Sequence, residues 1–136
     1  MNSHTKTVLI VDDIAYVRKT MKQILTSNGY RVVGEAENGA EAVRIYAEVR
    51  PDFVTMDLVM PVMNGVEATR KILKIDPDAK VLILSSMTEE NLVTEAIHAG
   101  AKDYITKPFQ TEDVLKVIRD TLALQPIRIN QGSVAS

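Results

Sequence analysis

The chain has no cysteine and no tryptophan, and its aromatic content is four tyrosines and two phenylalanines. Without cysteine there is no disulfide framework, no thiolate metal site and no thiol nucleophile. The same absence fits a reducing compartment, so a cytoplasmic location is expected. Neither sign of charge dominates: 16 Lys and Arg stand against 18 Asp and Glu, a net charge of −2. A general nucleic-acid binder usually carries a basic excess, which is missing here. No long hydrophobic run occurs either. After a polar leader at residues 1–6, the first apolar stretch extends only over Val8 to Val11. That is too short for a signal-peptide core, and nothing downstream approaches a membrane span. The two histidines, His4 in the leader and His98 near a predicted helix end, do not make a metal site. What remains is 136 residues, 46% of them hydrophobic. A chain of this size can bury roughly two-thirds of its unfolded surface, enough for one core without staples.

Short apolar runs alternate with longer amphipathic ones. Thr7 to Val11, Arg31 to Ala36, Phe53 to Met56, Lys80 to Leu84 and Asp103 to Thr106 read as strands. Between them lie helical spacings. Residues 15–27 place Val17, Met21, Ile24 and Leu25 on one face, with Arg18, Lys19 and Lys22 off it. Asn28-Gly29 stops that helix. Asn38 with Glu41, and Asn64 with Glu67, read as cap and partner at the next two helix starts. Thr88 is expected to cap a fourth helix that runs through His98 to Gly100. Thr111 is expected to cap a fifth, with Glu112 and Asp113 in its first turn, where acids suit the dipole. Leu115, Ile118 and Leu122 are its inward stripe. Strands that are apolar throughout are buried on both faces, so the pattern means an α/β fold with a parallel sheet between helical layers. The folded unit is expected at residues 7–124, and residues 125–136 as a flexible C-terminal tail.

In such a sheet, ligands bind beyond the carboxyl ends of the strands, where the strand order reverses. Here those ends carry Asp12-Asp13, Asp57, Ser85 and Lys107. One aspartate after a strand is usually a turn former. Four polar strand ends of this kind together point to a site. Three carboxylates against one ammonium leave a charge of −2, which calls for raised carboxyl pKa values or a counter-ion. A hard divalent cation such as Mg²⁺, which takes few carboxylates and keeps positions for phosphate oxygens, is the natural partner.

Asp12-Asp13, then Asp57 with Met60-Pro61 and Gly65 behind it, then Ser85, then Lys107-Pro108: this order resembles the receiver domain of bacterial response regulators. The resemblance covers roughly residues 6–124 and is nearest to the stand-alone chemotaxis members. It implies a doubly wound (βα)5 flavodoxin-like fold with strand order 2-1-3-4-5. It implies that Asp57 accepts a phosphoryl group from a sensor histidine kinase. Asp13, Asp57 and the backbone carbonyl of Val59 would ligate Mg²⁺, with Asp12 acting through a metal-bound water. Lys107 would pair with Asp57 and then with a phosphoryl oxygen, and its bond to Pro108 is expected to be cis. Ser85 would bond another phosphoryl oxygen, and Tyr104 would turn inward as the aromatic switch. Such a domain is a phosphoacceptor rather than an enzyme, promoting only its own phosphorylation and dephosphorylation. Val59 stands where many relatives are polar, and in the family this position tunes access of the hydrolytic water. Ser86 is small and keeps Asp57 accessible, whereas Met87 adds an apolar side chain that could shield it.

After Leu124 too few residues remain for an effector domain, so output is expected from the face of helix four, strand five and helix five. The resemblance offers two partners for that face: a flagellar motor switch protein in chemotaxis, or a phosphotransfer protein in a relay. A monomer without nucleic-acid or membrane partners is expected. Other classes fit less well. A flavodoxin-like binder needs a Ser/Thr/Gly-rich loop after strand one, where Asp12-Asp13-Ile14 would repel an anion. Gly29 to Gly34 has phosphate-loop spacing, but Glu35 replaces the lysine and the stretch lies in a strand. Asp57-Leu58-Val59 lacks the second Asp of haloacid-dehalogenase-type phosphatases. A pseudo-receiver scaffold usually loses the acidic pocket or the lysine, and both are present.

Overall fold

The computed structural model describes residues 4–124; residues 1–3 of the leader and the tail at 125–136 lie outside the described residues. Five strands alternate with five helices: β1 Thr7–Val11, α1 Ala15–Thr26, β2 Arg31–Ala36, α2 Gly39–Val49, β3 Phe53–Asp57, α3 Gly65–Ile75, β4 Val81–Ser85, α4 Glu90–His98, β5 Asp103–Thr106 and α5 Thr111–Leu122. All pairings are parallel, and the sheet order is β2-β1-β3-β4-β5. This is the doubly wound order that the resemblance implied. Among the described residues no helix is long and apolar enough to cross a membrane.

Side chains alternate across a strand, so each buried strand feeds two cores. On one face Val8 and Ile10 of β1, Phe53 of β3, Leu82 and Leu84 of β4 and Ile105 of β5 pack under Met21 and Leu25 of α1 and Val114 and Ile118 of α5. On the other, Leu9, Val11, Val54, Met56, Val81 and Ile83 pack under α2, α3 and α4 through Ala42, Tyr46, Val66, Ile72 and Ala96. β3 and β4 are buried along their whole length, which is why they read as unbroken apolar runs.

Local signals set most boundaries. The Asn38 side chain accepts from Glu41 N at 2.9 Å, and Glu41 accepts from Glu37 N at 2.8 Å, close to a capping box. Asn64 accepts from Glu67 N at 2.9 Å. Gly29, with φ of 90°, ends the turn after α1. Four details differ from the sequence reading. β4 runs from Val81 to Ser85, one residue later than expected, because Lys80 gives its carbonyl to Val54 N at the sheet margin. Thr88 is not the cap of α4: its hydroxyl meets that of Ser86 at 3.1 Å, Glu89 instead accepts from Ser86 N at 3.0 Å, and the helix starts at Glu90. Polar side chains in this loop satisfy one another rather than the helix end. Thr111 is the first residue of α5, and Gln110 precedes it without a side-chain cap. The inward stripe of α5 is Val114, Leu115, Ile118 and Thr121, with Leu122 at its edge, because a helix lying flat on a sheet buries a wide face.

The loop between β3 and α3 is held from two sides. Gly65 N donates to Leu58 O at 2.8 Å, and a Cβ at residue 65 would strike the carbonyl oxygen of Asp57. Gly39 N donates to Met63 O at 2.8 Å, and a Cβ there would strike that same oxygen. Between these anchors Met60 is buried and Met63 packs on the core. Val62 stands on the outside, 82% exposed, with φ of 69°. A β-branched residue in the left-handed region is strained. Two substitutions should therefore move stability in opposite directions in urea unfolding. Gly65→Ala should cost about 1–3 kcal/mol, the usual range for overpacking. Val62→Gly should gain up to about 1 kcal/mol, because relief of strain exceeds the entropy cost of glycine.

Candidate phosphoacceptor site

The sheet order reverses between β1 and β3, and the carboxyl ends of these strands define a cleft. Asp12 directly follows β1 and is fully buried. Its N–H donates to Ala36 O at 3.1 Å, and its Oδ1 accepts from Ile14 N at 2.9 Å. Asp57 ends β3 and is buried. Asp13 is exposed at the mouth. One carboxylate oxygen from each of the three lies within 4.8 Å of the others.

Lys107 follows β5 and crosses the cleft. Its N–H donates to Ser85 O at 2.7 Å, extending the β4–β5 pairing by one bond, and its peptide bond to Pro108 is cis. From there Nζ donates to Asp57 Oδ1 at 2.9 Å and to Asp12 Oδ2 at 3.0 Å. Four of the five strand-end residues singled out by sequence, Asp12, Asp13, Asp57 and Lys107, thus meet in one cluster. Three hard oxygen donors with a surplus of two negative charges suit Mg²⁺. Val59 lies two residues beyond Asp57 with its side chain 55% exposed. Ile14, Tyr16, Val62 and Met87 are exposed as well, and all lie in or beside the loops that leave these strand ends.

Ser85 lies one residue past Leu84, the register partner of Asp57, and Tyr104 pairs with Ile83 on the far side of β4. Ser85 ends β4 and is buried, while Tyr104 on β5 is exposed. Both line a cavity of about 640 Å³ that extends under α4 past Val93 and Ile97 to His98. His98 is exposed, as its sequence position suggested.

Arg18 escaped the sequence reading, which set it with Lys19 and Lys22 on the solvated side of α1. Its side chain is only 14% exposed, and Nη1 donates to the carbonyl oxygen of Asp12 at 2.7 Å. A signal was present: residues 18, 21 and 25 share one helical face, and Met21 and Leu25 are fully buried.

Burial pushes the Asp57 carboxyl up to about 6; the charges of Asp12 and Asp13 add to this, and the Lys107 hydrogen bond opposes it. Burial lowers the Lys107 ammonium, but its bonds to Asp57 and Asp12 outweigh that and hold it above the ordinary lysine range. Asp57 is thus mostly ionised at pH 7, but it titrates within reach of neutrality.

In the metal-free protein, carboxyl-carbon NMR should give Asp57 a midpoint near 6, and Mg²⁺ should move it down. The folded value lies above the ordinary 3.8, so the folded state binds the extra proton. Stability from this group is therefore present below about pH 4 and lost as pH climbs to 6. Asp57→Asn should stabilise the metal-free protein at pH 7 by on the order of 2 kcal/mol, with the advantage shrinking toward pH 4.

Comparison with known proteins agrees with this geometry. The family model described as "Response regulator receiver domain" matches residues 8–119. Chemotaxis protein CheY of Thermotoga maritima is 54% identical over 113 residues, covering 83% of this chain and 94% of that one. Chemotaxis protein CheY of Bacillus subtilis is 51% identical over 115 residues, covering 85% and 96%. Among solved structures, the CheX-CheY-BeF3-Mg²⁺ complex of Borrelia burgdorferi superposes with a TM-score of 0.83 at 35% identity, covering 88% of this chain and 90% of that one. Cluster, topology and likeness agree: the chain belongs to the response regulator receiver domain family and is CheY-like.

Proposed function

We propose that this chain is a phosphorylation-driven switch of a two-component system, working in chemotaxis. One observation carries the reading: a single ammonium, Lys107 Nζ, bridges two buried carboxylates at the reversal point of the sheet. An oxygen of Asp57 attacks the phosphorus of a phosphohistidine on a CheA-like sensor histidine kinase. The new O–P bond forms as the P–N bond breaks, and the histidine is released. Phosphoryl transfer asks a protein mainly for positioning and charge neutralisation. Asp13, Asp57 and the Val59 carbonyl would hold Mg²⁺, with Asp12 reaching it through water. When bound, the ion offsets charge on the transferred group and orients its oxygens.

Lys107 keeps its ammonium in the cleft throughout, passing from Asp57 to a phosphoryl oxygen while retaining Asp12. Acyl phosphate formation adds charge and acceptor oxygens. The Ser85 hydroxyl turns to donate to one of them, drawing the loop after β4 inward. Tyr104, exposed in this structure, then rotates into the space beneath α4. The chain remains a phosphoacceptor and promotes only its own phosphorylation and dephosphorylation. The altered face of α4, β5 and α5 is read by a flagellar motor switch protein, and the cytoplasm is the compartment this implies. The chemotaxis reading rests on the names of the relatives at 54% and 51% identity. A relay to a phosphotransfer protein has no such support.

The test is a titration with a peptide from the N-terminus of a motor switch protein, followed by amide shifts. With Mg²⁺ and beryllofluoride, the peptide should bind at least about tenfold more tightly, a coupling of roughly 1.4 kcal/mol. Asp57→Asn should remove that gain. Shifts in the cleft without peptide binding at any concentration would keep the receiver chemistry and remove the motor switch as partner.

A further inference from the structure

Arg18 stands outside the strand ends that carry the chemistry, yet it touches the cleft. Its guanidinium nitrogens go three ways. Nη1 donates to Asp12 O at 2.7 Å. Nε lies 3.4 Å from Glu35 Oε1 near the end of β2, and Nη2 lies 3.8 Å from Glu37 Oε2 just beyond it. Lys22, one turn along α1, reaches the other oxygen of Glu35 at 3.4 Å. Exposed ion pairs of this sort contribute little to stability. The Arg18 side chain is 14% exposed, however, and its shortest bond goes to a main-chain carbonyl beside the carboxylates rather than to an acid.

That carbonyl belongs to the peptide that joins Asp12 to Asp13. The other groups of Asp12 are held by Ala36 O, Ile14 N and Lys107 Nζ. Arg18 holds the remaining one. Asp13 is exposed, so the direction of its carboxylate follows the main chain that carries it. Tilting the 12–13 peptide would swing Asp13 relative to Asp57.

We propose that Arg18 is a positioning residue for the cation site: braced on Glu35 and Glu37, it fixes the 12–13 peptide and so the angle at which Asp13 faces Asp57. This rests on the reading of the cleft as a Mg²⁺ site. A planar fork can grip a carbonyl and two acids at once, which an ammonium cannot. A competing role exists, because a cation near three carboxylates also repels an incoming Mg²⁺. The two roles predict opposite signs. Loss of positioning weakens Mg²⁺ binding, whereas loss of repulsion tightens it. Glu35 and Glu37 already offset the guanidinium charge, so positioning dominates.

The experiment titrates MgCl₂ alone into the full chain at pH 7.5 and follows the amide shifts of Asp13 and Asp57. Arg18→Ala should weaken binding roughly 10- to 100-fold, the usual cost of removing a group that orients a metal ligand. Arg18→Lys, which keeps the charge and one donor, should recover part of the loss. Arg18→Lys also serves if Arg18→Ala fails to fold, which thermal unfolding would reveal, because it holds the charge constant while losing the fork, and it should itself bind more weakly than the wild type. Unchanged or tighter Mg²⁺ binding in Arg18→Ala, or in Arg18→Lys where that one is unfolded, overturns the proposal. Absence of Mg²⁺ binding by the wild-type chain overturns instead the reading of the cleft on which it rests.

Discussion

One ammonium shared between two buried carboxylates is the constraint on which the rest of the molecule depends. Burial alone would drive Asp57 toward protonation, and Asp12 and Asp13 push it the same way. Lys107 opposes both effects from 2.9 Å. Removing the lysine would leave two buried carboxylates without a counter-charge, which is far more costly than the bridge itself. The cleft therefore stays acidic enough to attract a cation and balanced enough to fold without one. Four strands contribute to that balance: β1 and β3 bring carboxylates, β5 leads into the lysine, and Ser85 at the end of β4 anchors the lysine's main chain.

Much of this arrangement was legible in the sequence because the boundaries are abrupt. Val11 to Asp12 and Met56 to Asp57 pass from full burial in the sheet to the charged cluster within one residue. Asn38 and Asn64 were legible as caps because each has a glycine directly after it and a glutamate three residues on. The start of α4 was not legible, because Ser86, Thr88 and Glu89 compete for the same groups and only the folded loop decides among them. Arg18 was hidden for another reason. A cation on a helix reads as solvated, and its target is a backbone atom that no side-chain pattern records. The raised Asp57 pKa combines burial with the field of three strand ends, which distance along the chain cannot express. The strand order came from family likeness rather than from hydropathy.

The two walls of the cleft are built differently. The β3–α3 wall is fixed by main-chain bonds and by two glycines packed against carbonyl oxygens. The β4–α4 wall is held by hydroxyls and a carboxylate bonding within their own loop. Contacts of the second kind exchange readily with a new acceptor, since each replaces one hydrogen bond by another at little net cost. Of the two walls, the one on the α4 side is therefore the more easily rearranged.

The fixed wall has a further consequence. Its rigidity comes from backbone contacts at residues 39, 58, 63 and 65, while the side chains of Val59 and Val62 point away from that framework into solvent. Geometry and surface are thus separable here. Exchanges at 59 and 62 alter what the loop presents to solvent, while the framework that aims Asp57 stays in place. A single scaffold of this kind can change the surface beside its cleft without changing the cleft's geometry.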